Sequence, residues 1–181
     1  ECSADRTLAA LYVEPIVRLF RANGGHMWKD SDAPMQLMVE SKNEDKPLLR
    51  KLVTLLEQYP DVFCSENGVR VVITGYDLKP EEFSLFPKWM YFDGGLSKSY
   101  TPEQLERVAM FSECFEAYAR WNGKGNILDP QLEAIKKAIA KAHAMNKPIR
   151  FWGAPETTTA YYTFCNLGID FFNTDNPAQA Y

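Results

Sequence analysis

Residues 105–121, LERVAMFSECFEAYARW, admit two readings. Leu105, Val108, Ala109, Ser112, Phe115 and Ala119 fit one helical face, whereas Val108–Ser112 (VAMFS) taken alone is a short apolar run of strand length. The choice fixes the strand count. Read as a strand, VAMFS is one of six, each joined to the next by a helix or a long crossover. Such alternation gives an α/β fold with parallel strands and helices outside, either a barrel or a doubly wound sheet.

On the amino side, a first helix is expected near Thr7, after Asp5, with Leu8, Leu11, Tyr12, Ile16, Leu19 and Phe20 on one face. It should stop at Asn23-Gly24-Gly25. Residues 35–42 are strand-like. A second helix opens with Pro47 in its first turn and carries Leu48, Leu52, Leu55, Leu56 and Tyr59 until Pro60 stops it. The β-branched run VRVVIT (69–74) is the next strand. A short helix follows Pro80, and KWMYF (88–92) is a strand ended by Asp93-Gly94-Gly95.

On the carboxyl side, Thr101-Pro102-Glu103 and Asp129-Pro130 each set a capping side chain before a helix-starting proline. The second of these helices runs through Leu132, Ile135, Ile139 and Ala142 to about Asn146. IRFWG (149–153) is a strand, residues 158–166 form a helix stopped by Gly168, and IDFFN (169–173) is the last strand.

Composition sets outer limits. The 181 residues, 46% hydrophobic and 24% charged, suffice for one compact domain, and a net charge of -4 gives no electrostatic footprint for nucleic acid. No apolar run approaches the roughly 20 residues that span a bilayer. Cys2, Cys64, Cys114 and Cys165 contain no CxxC, against a zinc knuckle or a redox dithiol, and read as packing residues or at most one surface disulfide. The chain opens Glu1-Cys2-Ser3 rather than with methionine, which reads as a processed product whose upstream residues would hold any export signal.

In a parallel sheet, function gathers at the carboxyl ends of the strands. Those ends are Glu40 and Lys42; Thr74 and Tyr76; Asp93 and Gly94; Ser112 and Glu113; Trp152; and Asn173, Thr174 and Asp175. Glu40 and Lys42 are two apart and share a strand side, opposite Leu37, Val39 and Ser41. The carboxylate suits a hard divalent cation and the ammonium an anionic group, against the plainer reading of a salt bridge at a strand end. Trp152 shares a side with Arg150 and is a pocket wall or a core side chain. Asp93 starts a turn or offers a carboxylate beside Glu40, and Thr174 or Asp175 caps a following helix. His26 and His143 sit at no strand end and read as surface residues. GxGxxG, Walker A, HExxH and GxSxG are absent.

At these positions the chain resembles the phosphatidylinositol phospholipase C and glycerophosphodiester phosphodiesterase superfamily of (β/α)8 barrels, closest to a bacterial branch whose members are usually exported. The resemblance runs through Arg6-Thr7-Leu8, Leu11-Tyr12, Asn23-Gly24-Gly25, LMVESK, VVIT, YFDGG, FSECF, Trp121-Asn122-Gly123, IRFWGAPET and GIDFFNTDNP. It favours a strand over a helix at FSECF, where the family has a strand ending in serine. It implies Glu40 as ligand of a divalent cation, calcium or magnesium, Lys42 as the phosphate contact and catalytic candidate, and Trp152 as the pocket wall. Asp93 and Ser112, at neighbouring strand ends, join Trp152 as substrate-binding candidates. The ligand would be a phosphodiester small molecule or a lipid headgroup, and the location periplasmic or extracellular.

The family's catalytic histidines, on its first strand and after a Glu-x-Asp strand, have no counterpart here, since neither His26 nor His143 matches them. The length agrees: about 250 residues make a full barrel, so 181 residues correspond to the six carboxyl-terminal units of an incomplete one. The expectation is a phosphoric diester hydrolase when complete, with this chain alone inactive. The alternative is a non-catalytic binding protein of the same fold that completes its open sheet edge with another chain. A glycosidase pairing Glu40 with Glu113 or Asp93 ranks behind both.

Overall fold

The computed structural model describes residue 3 and residues 6–42, 46–75 and 78–179. Cys2, the Asp5 start signal and Tyr76 lie outside these. The strands are β1 (Gln36–Glu40), β2 (Arg70–Thr74), β3 (Met90–Gly94), β4 (Val108–Cys114) and β5 (Ile149–Trp152). The α-helices are α1 (Glu14–Ala22), α2 (Lys46–Leu56), α3 (Pro60–Phe63), α4 (Pro102–Glu106), α5 (Asp129–Ala144) and α6 (Thr158–Leu167). The strands form a five-stranded sheet in chain order, β1-β2-β3-β4-β5, and β1 with β2, β2 with β3 and β4 with β5 are parallel. Two compact units divide the chain, Glu1–Phe92 and Asp93–Tyr181.

In the first unit, the buried stripe of α1 is Ile16, Val17 and Phe20, continued by Val13 just before it, while Leu11, Tyr12 and Leu19 face solvent. The expected single apolar face is therefore corrected. Pro15 has no N–H to donate, and the turn before it is a π-turn, Ala9–Val13, in which Glu14 N–H reaches Ala9 O. That extra residue puts Leu8, Leu11 and Tyr12 out of phase with the helix that follows. Leu49, Leu52 and Leu56 bury the inner face of α2, and Pro60 begins α3 rather than merely ending the preceding helix. Val71, Val72 and Ile73 are buried on both sides of β2, as a central parallel strand requires. The turn after Pro80 is a 3-10 helix whose Phe83 stacks on Phe92, centroids 4.1 Å apart.

In the second unit, VAMFS is a strand, extended two residues further to Cys114. Val108 to Phe111 are all buried, so the run that fits a helix face is a strand covered on both sides. Gly94 is tight against it: a Cβ there would lie 2.7 Å from Val108 Cγ1. The strand expected at 88–92 begins and ends two residues later. Thr101 caps α4, accepting from Gln104 N while the Gln104 side chain accepts from Thr101 N. At α5 the cap position is Leu128 without a side-chain cap, and Asp129 lies in the first turn. Gly168, at φ 79°, ends α6.

The sixth strand is not formed among the described residues. IDFFN reduces to one parallel bridge, Arg150 to Phe171, beside which Asp170 donates its N–H to Ile149 O (3.1 Å) and accepts from Ile149 N through its carboxylate (2.8 Å). The structure thus shows five strands against the six expected.

Candidate functional site

In the first unit the carboxyl end of β1 carries Glu40 and Lys42 on one side of the strand. Lys42 Nζ lies 2.7 Å from Glu40 Oε1, with side chains 78% and 51% exposed. Ser41, between them, is buried and donates its N–H to Thr74 O (2.9 Å), which fixes the strand end. Gly75, at φ 81°, lets that end close, since a Cβ there would sit 2.5 Å from Glu40 Cγ and 2.7 Å from Ser41 O. A divalent cation takes about six oxygens, and Glu40 supplies one carboxylate that Lys42 already holds. Among the described residues no three His, Cys, Asp or Glu side chains are grouped to hold a metal ion. A cation at Glu40 would be held mainly by water and by oxygens of its ligand.

In the second unit three sequence-predicted rim residues meet on a fourth side chain. Arg150 donates through Nε to Ser112 Oγ, through Nη1 to Asn173 Oδ1 (3.3 Å) and through Nη2 to Asp93 Oδ2 (3.3 Å). Asp93 and Arg150 are 9% and 17% exposed, so their ion pair is well shielded from water. Trp152, two residues along β5 on the same side, is 48% exposed and is therefore not a core side chain. Parity alone places Arg150 beside Trp152; the hub emerges only when β3, β4, β5 and the segment after α6 are seen together.

Glu113, also a strand-end carboxylate, is committed elsewhere. It accepts from Leu96 N (2.7 Å) and from the Tyr118 hydroxyl (2.8 Å), a structural role that leaves it a poor partner for paired-carboxylate chemistry. Burial, followed by the Glu113 carboxylate, pushes the Tyr118 phenol well above its usual value. Beyond β4 and β5 lies an open cleft of about 690 Å³ lined by Phe115, Glu116, Arg120, Trp121, Gly153 and Pro155 among others. Its wall is held by Thr157, which caps α6 through Ala160 N (3.1 Å) and donates to Gly123 O (2.8 Å). Gly123 (φ 81°) has no room for a Cβ, which would lie 2.4 Å from Thr157 Oγ1.

His26 lies in the loop after α1, 3.4 Å from Asp32, and His143 in the last turn of α5, 2.9 Å from Asp170 Oδ2. His143 is thus tied to the start of β5, away from its carboxyl end. Thr174 accepts from Asn176 N (3.0 Å) and donates to Glu156 (2.6 Å) ahead of the short 3-10 turn Pro177–Gln179. Cys64, Cys114 and Cys165 are free thiols. No helix among the described residues is long and apolar enough to cross a membrane. Comparison with protein-family models, with curated proteins and with solved structures finds no match for this chain.

Proposed function

We propose that the chain carries carboxyl-terminal units of a phospholipase-C-like (β/α)8 barrel and that its ligand is a phosphodiester, a glycerophosphodiester or a phosphoinositide-like headgroup. The observation that carries this reading is the Glu40–Lys42 pair, exposed on one side of a parallel strand at its carboxyl end. Lys42 contacts a non-bridging phosphate oxygen, and Glu40 is the carboxylate available to calcium or magnesium. Such a cation, when bound, neutralises phosphate charge. In the second unit, Trp152 offers an apolar wall and Ser112 a polar contact to a ligand of the same class, with Asp93 acting through Arg150, which it holds. Strand order that never reverses supports barrel-type winding, because a doubly wound sheet reverses at its switch point.

A second reading, binding without turnover, is favoured by the histidines. Phosphodiester hydrolysis needs a proton acceptor and a proton donor at the reacting oxygens. His143 instead binds Asp170 near the start of β5, and His26 lies in a loop beside Asp32. In this reading β1, first in the sheet order, pairs its outer edge with a second copy of the chain. Hydrolysis of bis-p-nitrophenyl phosphate with calcium and with chelator separates the two. Calcium-dependent turnover supports the enzyme, and saturable binding without turnover the binding protein. Neither binding nor turnover overturns both.

A further inference from the structure

We propose that Arg150, Ser112 and Asn173 form an oxyanion-binding site at the carboxyl ends of β4 and β5, suited to a singly charged phosphate diester or carboxylate with an apolar group lying on Trp152. A guanidinium has five N–H groups, and those of Arg150 that are used go to one oxygen each of Ser112, Asn173 and Asp93. The consequence is a set of donors with a common direction of need. Ser112 Oγ and Asn173 Oδ1 are both acceptors towards Arg150, so the Ser112 hydroxyl proton and the Asn173 amide N–H groups stay available, along with two guanidinium N–H groups. A site of donors around an anchored guanidinium matches an acceptor-only ligand, and an oxyanion is such a ligand.

The charge of the ligand follows from Asp93. Its carboxylate already balances Arg150 and is nine-tenths buried, so the cluster holds little surplus positive charge. A single negative charge is accommodated by the donors, whereas a second would meet the Asp93 carboxylate at close range. The organic part of the ligand follows from Trp152, whose ring stands on the same side of β5 and is half exposed. The site rests on the proposed ligand contacts Trp152 and Ser112 but does not need Lys42, since all its groups belong to the second unit.

The test is a ligand-observed NMR titration of the whole chain with diphenyl phosphate and, separately, with benzoate. Asn173→Asp keeps the oxygen that accepts from Arg150 but replaces the amide donors with a carboxylate. It should weaken binding at least about tenfold, the loss expected when a charge-assisted contact is replaced by repulsion. Ser112→Ala, which removes only a hydroxyl, should weaken it about threefold or more and serves if Asn173→Asp does not fold. Saturable binding of diphenyl phosphate alone assigns the site to diesters, and of benzoate alone to carboxylates; either, with loss in the variants, supports the proposal. Lys42→Met separates the two sites. Loss there with unchanged binding in the other variants overturns the Arg150 site and spares the Lys42 reading, and the reverse pattern does the opposite. Failure of both probes to bind the wild type overturns the proposal.

Discussion

Gly75 leaves the space that the Glu40 side chain occupies, for a Cβ on Gly75 would lie 2.5 Å from Glu40 Cγ. The conformation at Gly75, φ 81°, is one an L side chain also resists. Gly75→Ala therefore combines about 1–2 kcal/mol of backbone strain with an overlap costing about 1–3 kcal/mol. Denaturant unfolding should show a lower midpoint at unchanged slope. A midpoint equal to wild type would mean that Glu40 is not held against the end of β2.

Thr157 has two duties in one hydroxyl, capping α6 and holding the Gly123 carbonyl. Thr157→Val keeps the shape and removes both. The cap alone is worth about 1 kcal/mol and the second hydrogen bond about as much again. Thr157→Ser should restore most of the loss, a rescue read directly in thermal unfolding.

Tyr118 gives the molecule an alkaline limit. Its phenol pKa is raised in the folded state, by burial first and by Glu113 next, from an ordinary 10.0. The folded protein thus binds the proton more tightly than the unfolded chain. The resulting stability is complete below the ordinary value and is lost as pH rises from there through the folded-state value. Stability measured at increasing pH should fall above about pH 10. Replacing Glu113 with Gln should lower the Tyr118 titration, followed by phenolate absorbance, towards its ordinary value.

At the acid end the sign reverses. The Arg21 guanidinium grips Asp61 with two bonds of 2.9 Å and holds its carboxyl below the ordinary 3.8. Glu82 is likewise lowered from 4.5, first by its hydrogen bond to Lys46. Depressed carboxylates stabilise above their unfolded pKa and lose that contribution as pH falls through the folded one. Acid titration of stability should be shallower in Asp61→Asn, since one of the contributing carboxylates is gone. Arg21 and Asp61 are about half exposed, so the difference should shrink at high ionic strength.

How much was legible in the sequence depends on how far the deciding contact reaches. Period and β-branching suffice for β2, and strand parity places Glu40 with Lys42 and Arg150 with Trp152, because each is a property of neighbouring residues. The apolar face of α1 misleads, since Pro15 inserts a π-turn that period counting does not represent. The last strand misleads because the apolar run in IDFFN yields a single bridge to β5, joined there by both the N–H and the carboxylate of Asp170 to Ile149. The Arg150 hub is hidden for another reason: Arg150 and Asp93 are 57 positions apart, and only folding aligns their strand ends. Glu113 is at the right strand end for chemistry, yet Leu96 and Tyr118 determine its use.

Contact between Lys42 and the phosphodiester is tested by a phosphorus-NMR titration of glycerophosphoinositol against the whole chain and against Lys42→Met. Lys42 is 78% exposed, so the substitution should leave folding intact. Saturable binding is expected for the wild type and affinity reduced at least about tenfold for the variant, the effect of losing one charged contact to phosphate. Equal affinity in the two proteins, or no saturable binding by the wild type, would contradict it.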